Sequence, residues 1–137
     1  MKFIKKTIEI NTNSSLQILD ITNEIQNILK LNKVNNGIIN IFTKHSTSAI
    51  VINENEHGLL NDFENLLKTL IPQVQSYEHN RIDNNADAHL RSFFLSSSET
   101  VPIYNGKLDL GTWQSIFFVE LDGPRNNRKI NLSILVE

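Results

Sequence analysis

Four consecutive bulky apolar residues, Ile116, Phe117, Phe118 and Val119, lie inside the segment Ser115 to Leu121. Gln114 bounds the segment on one side, and the turn-forming pair Gly123 and Pro124 bounds it on the other, which marks a strand. Successive strand side chains point to opposite faces of a sheet, so an unbroken apolar run needs cover on both. A chain of 137 residues has the size of one domain, and it is too short for a (β/α)₈ barrel of about 250 residues. In so small a chain the second face of this strand is expected to be covered by another subunit, which predicts a homo-oligomer.

The remaining segments supply the partners for that strand. Residues 3 to 10 alternate as a strand. Residues 15 to 30 then place Leu16, Leu19, Ile25, Ile28 and Leu29 near one helical stripe, with Ser14 as the expected N-cap. Asn36 and Gly37 turn the chain into Ile38 to Phe42, and Ser48 to Ile52 follows after a polar interruption at Lys44 to Thr47. Leu59, Leu60, Phe63, Leu66, Leu67 and Leu70 have helical spacing, and Pro72 ends that helix. A long polar stretch, Gln73 to Asp87, precedes a short helix at Ala88 to Leu95, and long loops in small domains often carry function. Val101 to Tyr104, the turn pair Asn105 and Gly106, and Lys107 to Leu110 form a hairpin. Lys129 to Val136 is the last strand. This order predicts one α+β domain over residues 1–137: a largely antiparallel or mixed β-sheet sandwich with two main helices and a short third one.

Composition narrows the chemistry. Without cysteine there is no disulfide, thiolate metal site or cysteine nucleophile. A net charge of −2 gives no overall positive field to draw nucleic acid or anionic lipid, so neither is an expected partner. The opening MKFIKKTIEIN lacks the apolar stretch of a signal peptide and no run is long enough to span a bilayer, so a cytoplasmic location is expected. GxxxxGKS, GxGxxG and GxSxG are absent, which removes support for P-loop hydrolysis, a Rossmann cofactor and a serine-hydrolase elbow. No organic cofactor is expected.

Several polar clusters can carry chemistry. His45 lies among Thr43, Ser46, Thr47 and Ser48; such a loop can bind phosphate or orient an imidazole, and it can equally satisfy its own backbone. Asn53, Glu54 and Asn55 stand at a strand end as caps or ligands, with capping the expected role for Asn55. Between Tyr77 and His89 the chain concentrates His79, Arg81, Asp83, Asn84, Asn85 and Asp87. Three neutral imidazoles with an open fourth position activate water on Zn²⁺, so His45, His79 and His89 are candidate ligands for one metal, although their spacing matches no short metal motif. His57 reads as a surface residue. Thr112, Trp113 and Gln114 precede the apolar strand, with Trp113 expected as a core anchor or, alternatively, a stacking surface. Glu120 and Asp122, with Gly123, Pro124 and Arg125, suit Mg²⁺ or phosphate contact, or else form a solvated hairpin end.

Taken together, HSTSAIVINEN (His45 to Asn55), YEHNRIDNNADAH (Tyr77 to His89) and GKLDLGTWQSIFFVELDGPR (Gly106 to Arg125) resemble the YjbQ family, also named the secondary thiamine phosphate synthase family. The resemblance covers essentially the whole chain and implies an α+β homotrimer with shared polar residues in a cleft near the subunit interface. By position, the family's shared histidines fall on His45, His79 and His89, its acid and amides on Glu54, Asn53 and Asn55, and its TWQ on Thr112, Trp113 and Gln114. His57 matches nothing in the pattern. Some members look like zinc binders, which strengthens the expectation of a metal or anion at the three histidines. Ser46 stands where many relatives have Thr, and Asn126 and Asn127 follow DGPR where relatives are often more basic, which weakens a phosphate role for that turn.

The activity the family name implies is transfer of hydroxymethylpyrimidine from its diphosphate to a thiazole phosphate, giving thiamine phosphate and pyrophosphate. Charge on the departing diphosphate would be met by Mg²⁺ on carboxylates and by Arg81 or Arg125, with Trp113 stacked on the pyrimidine. The rival expectations are a Zn²⁺ hydrolase of a small phosphorylated metabolite, with metal on His45, His79 and His89 and Glu54 as base, and a non-catalytic trimer that binds such a metabolite.

Overall fold

Three of the strands form a small sheet that the rest of the molecule encloses. In the computed structural model, which describes residues 1–137, this sheet holds β2 (Gln17–Asp20), β7 (Ser115–Glu120) and β4 (Ser48–Asn53), with β7 central. The larger sheet has β1 (Lys2–Ile10), β8 (Arg128–Val136), β3 (Gly37–Thr43), β5 (Ser98–Tyr104) and β6 (Lys107–Leu108) in that spatial order. Every pairing is antiparallel. Helices α1 (Thr22–Leu31), α2 (His57–Leu70) and α3 (Ala86–Leu95) complete the α+β domain. No helix is long and apolar enough to cross a membrane.

The apolar run of β7 explains the layering. Ile116 and Phe118 face the large sheet and join Ile50, Ile39, Ile41, Ile130, Leu132 and Ile134 in the main core, which α1 closes with Ile25 and Leu29. Phe117 and Val119 point the other way, into a second core with Ala49, Leu67 of α2 and Ala88 of α3. The second face is thus covered by the chain's own helices. The expectation that another subunit covers it is corrected: a third layer of α2 and α3 does that work within one chain.

Three further expectations are corrected. Residues 15 to 20 do not begin a helix. Gln17 to Asp20 pair with Glu120 to Phe117 of β7 as a strand, and Ser14 caps nothing. The Asp20 carboxylate accepts the Thr22 backbone N–H at 2.9 Å and its hydroxyl at 2.6 Å, which turns the chain from strand into α1. Burial of the Asp20 carboxyl, which raises its pKa, is outweighed by these bonds from Thr22 and one from Asn55, so the pKa lies below the usual carboxylate value. At α2 the cap is Glu56, whose carboxylate accepts the Gly58 and Leu59 N–H groups, while Asn55 donates to Asp20 at 2.9 Å. Trp113 is also not a core anchor, since 72% of its surface is exposed.

Candidate functional site

The HSTSA segment is the crossing from β3 in the large sheet to β4 in the small one, and most of its hydroxyls hold that crossing in shape. The Ser48 hydroxyl donates to the His45 carbonyl at 3.0 Å and lies 2.7 Å from the Thr43 hydroxyl, which in turn accepts the His45 N–H. Arg128 donates to the Thr47 hydroxyl at 2.9 Å. Thr43, Thr47 and Ser48 are therefore structural, and Ser46 is the exposed hydroxyl beside the imidazole.

Beneath this loop is a buried ion pair that sequence reasoning missed in part. Glu120 is fully buried and accepts the Arg128 Nε–H and the Thr12 hydroxyl, at 2.9 and 2.7 Å. Burial raises the Glu120 pKa, but the Arg128 guanidinium and the Thr12 hydroxyl outweigh it and hold the carboxyl below its ordinary value. Glu120 is thereby committed to protein contacts, and the Mg²⁺ or phosphate role expected for it is corrected. Neither Arg128 nor Thr12 belongs to a motif; only the packing of the large sheet's β8 and the segment after β1 against β7 of the small sheet brings them to Glu120.

The same strand fixes His45. The Lys129 backbone N–H donates to His45 Nε2 at 2.9 Å, so Nε2 carries the lone pair and the neutral ring has its proton on Nδ1. Burial, then the nearby Arg128 charge, keeps the His45 pKa below its ordinary value of 6.5. A neutral ring of this tautomer is a hydrogen-bond donor at Nδ1.

His45 and His89 line one polar cleft of about 440 Å³, together with Lys44, Ser46, Ser92 and the aromatic Phe93. On the other side of His89, a second depression of about 360 Å³ is shared with His79 and Tyr77. The His79 and His89 rings meet edge to face, 4.9 Å between centroids and 74° between planes. His79 is held from behind: its Nε2 lies 3.1 Å from Asn85 Oδ1, Asn85 donates to Asp122 at 2.9 Å, and Arg125 donates to the same Asp122 oxygen at 2.9 Å. A short 3-10 helix, Glu78–Arg81, presents His79, while Arg81 is exposed.

The three histidines thus form a row in which His89 is the shared member. They do not form a metal set. No group of three His, Asp or Glu side chains has the geometry to hold an ion, and the lone pair that His45 would offer from Nε2 is taken by the Lys129 N–H. Within one chain the three side chains therefore give no tris-histidine arrangement for Zn²⁺.

The other expected site residues lie elsewhere. Ser48 pairs with Glu120 at one end of β4, and Asn53 pairs with Ser115 at the other, roughly 17 Å away at about 3.3 Å per residue. Glu54, Asn55, Thr112, Trp113 and Gln114 cluster at this far end. Gln114 accepts the Gly111 N–H at 2.8 Å and closes the loop before β7. Within one chain, Glu54 cannot act as a base beside the histidines.

A family model described as UPF0047 protein YjbQ-like matches residues 6–137. A UPF0047 protein of Methanothermobacter thermautotrophicus is 51% identical over 134 residues, covering 98% of this chain and 93% of that protein. A crystal structure from Sulfolobus solfataricus, described as a YbjQ-like protein of unknown function, is 43% identical with a TM-score of 0.96, covering 99% of both chains. A conserved protein of the same family from Clostridium acetobutylicum is 36% identical with a TM-score of 0.87, over 96% of this chain and 99% of that one.

Proposed function

The chain belongs to the UPF0047 protein YjbQ-like family, and from that premise we propose that the cleft shared by His45 and His89 takes a small phosphorylated metabolite and acts on it. The observation that carries this reading is the pairing of two differently prepared imidazoles on one polar cleft. His45, locked by Lys129, offers an Nδ1–H to an anionic oxygen; the His89 ring, which has no hydrogen-bond partner within the chain, is free to take or give a proton. Lys44 and Ser46 add a cation and a hydroxyl at the same mouth.

The reaction proposed is formation of thiamine phosphate. A bond forms between the thiazole nitrogen and the pyrimidine methylene carbon as the carbon–oxygen bond to the diphosphate breaks, and pyrophosphate leaves with the electron pair. His45 Nδ1–H and Lys44 would meet the charge that develops on it, and His89 would protonate it. A divalent ion carried in by the diphosphate is compatible with this scheme, and no step is assigned to one. The proposed protein works in the cytoplasm as a homotrimer. Support for assembly comes from α3, where Phe93 is 86% exposed beside the cleft and Leu90 and Phe94 are exposed next to it. A base from the far cluster, such as Glu54, would have to come from a neighbouring copy.

The test is thiamine phosphate formation from the two phosphorylated precursors by wild type and His89→Ala at matched concentration, with fold and assembly checked in both. Product from wild type alone supports the reading. Equal rates remove His89 from it. No product from either, with the diphosphate still bound by calorimetry, replaces it with a non-catalytic metabolite-binding protein.

A further inference from the structure

The far end of β4 borders a feature that the histidine cleft does not explain. Between α2 and the helix-facing side of the small sheet is an apolar cavity of about 290 Å³, with nine of its 12 lining residues hydrophobic. Val51, Phe117 and Ile18 form its floor and Leu60, Phe63 and Leu66 its wall. Its volume is near the lower end of small-molecule sites, which run about 300–1,000 Å³ and combine apolar walls with a few polar groups.

The polar groups here are Asn53, Glu54 and Asp62. Glu54 is half-buried, and neither its carboxylate nor that of Asp62 takes part in any of the chain's three ion pairs or in a hydrogen bond; only the Glu54 backbone N–H donates, to Asn53 Oδ1. No Lys, Arg or His lines the cavity. The neighbouring carboxylates have partners: Glu56 caps α2 and Asp20 accepts from Thr22 and Asn55, and their negative charge adds to the field at the mouth. An anion entering this cavity would be repelled. A neutral apolar molecule would strip water from Glu54 and return no donor, which is unfavourable. An apolar body carrying a protonated amine satisfies both the wall and the carboxylates. The lip points the same way, since Leu59 and Leu66 remain 39% and 53% exposed where a purely structural helix would carry polar groups.

We propose that this cavity is a second ligand site, selective for a small organic cation with an apolar body, held by Glu54 and Asp62 over the Phe63 and Phe117 rings. It does not rest on the histidine cleft, and it gives Glu54 a role that a single chain can perform.

The probes are 2-phenylethylammonium, the isosteric alcohol 2-phenylethanol and the anion phenylacetate, titrated into the ¹⁵N-labelled full chain at pH 7. The expected result is amide shifts confined to residues around Val51 to Leu66, with the ammonium bound about fivefold tighter than the alcohol, the factor of a partly shielded ion pair, and the anion not bound. Glu54→Gln should abolish the preference while leaving the alcohol's affinity unchanged; Asp62→Asn should reduce the preference without removing it. Leu66→Trp, which fills the cavity from an exposed helix position, should block ammonium and alcohol alike. The proposal is overturned by shifts that map to the His89 and Phe93 cleft, by equal affinity for the three probes, or by a preference that survives Glu54→Gln. Absence of binding at millimolar probe also overturns it, including the case where sedimentation shows another copy packed over the cavity.

Discussion

Replacing Glu120 by Gln should be among the most damaging conservative changes in this protein. The Glu120 side chain is fully buried and that of Arg128 is 7% exposed, so the ion pair is out of reach of solvent. Gln keeps the size and one carbonyl oxygen, but it removes the charge and turns an NH₂ toward the donors of Arg128. A buried guanidinium without its counter-charge costs about 3–5 kcal/mol, a large part of the about 5–15 kcal/mol that holds a domain together. Urea unfolding should show that loss in the midpoint at unchanged slope. Removing both charges in Glu120→Gln/Arg128→Met should cost clearly less than the sum of the single changes, because the two side chains share one network. The same variant has a second readout at His45. There the Arg128 charge lowers the imidazole pKa and the Glu120 charge raises it. Glu120→Gln should therefore move the NMR titration of His45 to still lower pH, and Arg128→Met should move it up. A single-variant loss under about 1 kcal/mol, additive costs, or an upward move of His45 in Glu120→Gln would refute the assignment of this pair.

Three other outcomes are expected. The folded pKa values of His45, Glu120 and Asp20 all lie below their ordinary values of 6.5, 4.5 and 3.8, so the unfolded chain binds more protons and stability falls on acidification. Urea midpoints should begin to drop as pH passes below 6.5 in wild type but not in His45→Gln, with a further drop below 4.5 in both; a flat wild-type curve between pH 7.5 and 5.5 would remove His45 from this account. In Gly123→Ala the new methyl group would sit 2.1 Å from the Ser14 carbonyl oxygen, a backbone atom that cannot swing away, so a loss of about 1–3 kcal/mol is expected in thermal or urea unfolding; a change within about 0.5 kcal/mol would contradict the packing of that turn. Phe93→Glu, on an exposed helix position, should leave the circular dichroism intact while light scattering shows a monomer in place of a trimer; a wild type that is already monomeric, or a variant that still assembles, would count against α3 as the assembly surface.

Local pattern was enough to read α2, because Leu60, Phe63 and Leu67 recur on the side that rests on the small sheet. It was also enough for β7, whose four apolar residues do face two cores. It failed at residues 16 to 20, where Leu16 and Leu19 satisfy a helical interval, yet Leu16 and Ile18 face one core and Leu19 the other. The deciding force there is pairing with β7, a hundred residues away, which no local interval contains. Histidines 79 and 89 were legible as a pair because they stand only ten positions apart, with His79 itself in a tight 3-10 turn. The state of His45 was not, since it depends on the N–H of Lys129, which β8 delivers from the far end of the chain. Nor could spacing show that Glu54 and His45, nine positions apart in sequence, are held at opposite ends of a straight strand.

The pairing of β1 with β8, in register from Lys2 opposite Val136 to Ile10 opposite Arg128, also sets a timetable. At about 5–20 residues per second, β1 leaves the ribosome roughly 6 to 25 s before its partner strand is complete. The small sheet with α2 and α3 can assemble in that interval, but Ile50, Ile116 and Phe118 must wait for β8 before the large sheet can close over them. Thr12 and Glu120 likewise wait for Arg128, and His45 for Lys129. A nascent chain therefore holds its helices before its histidine cleft, and until β8 is delivered its large sheet stays open and its imidazole lacks the Lys129 N–H.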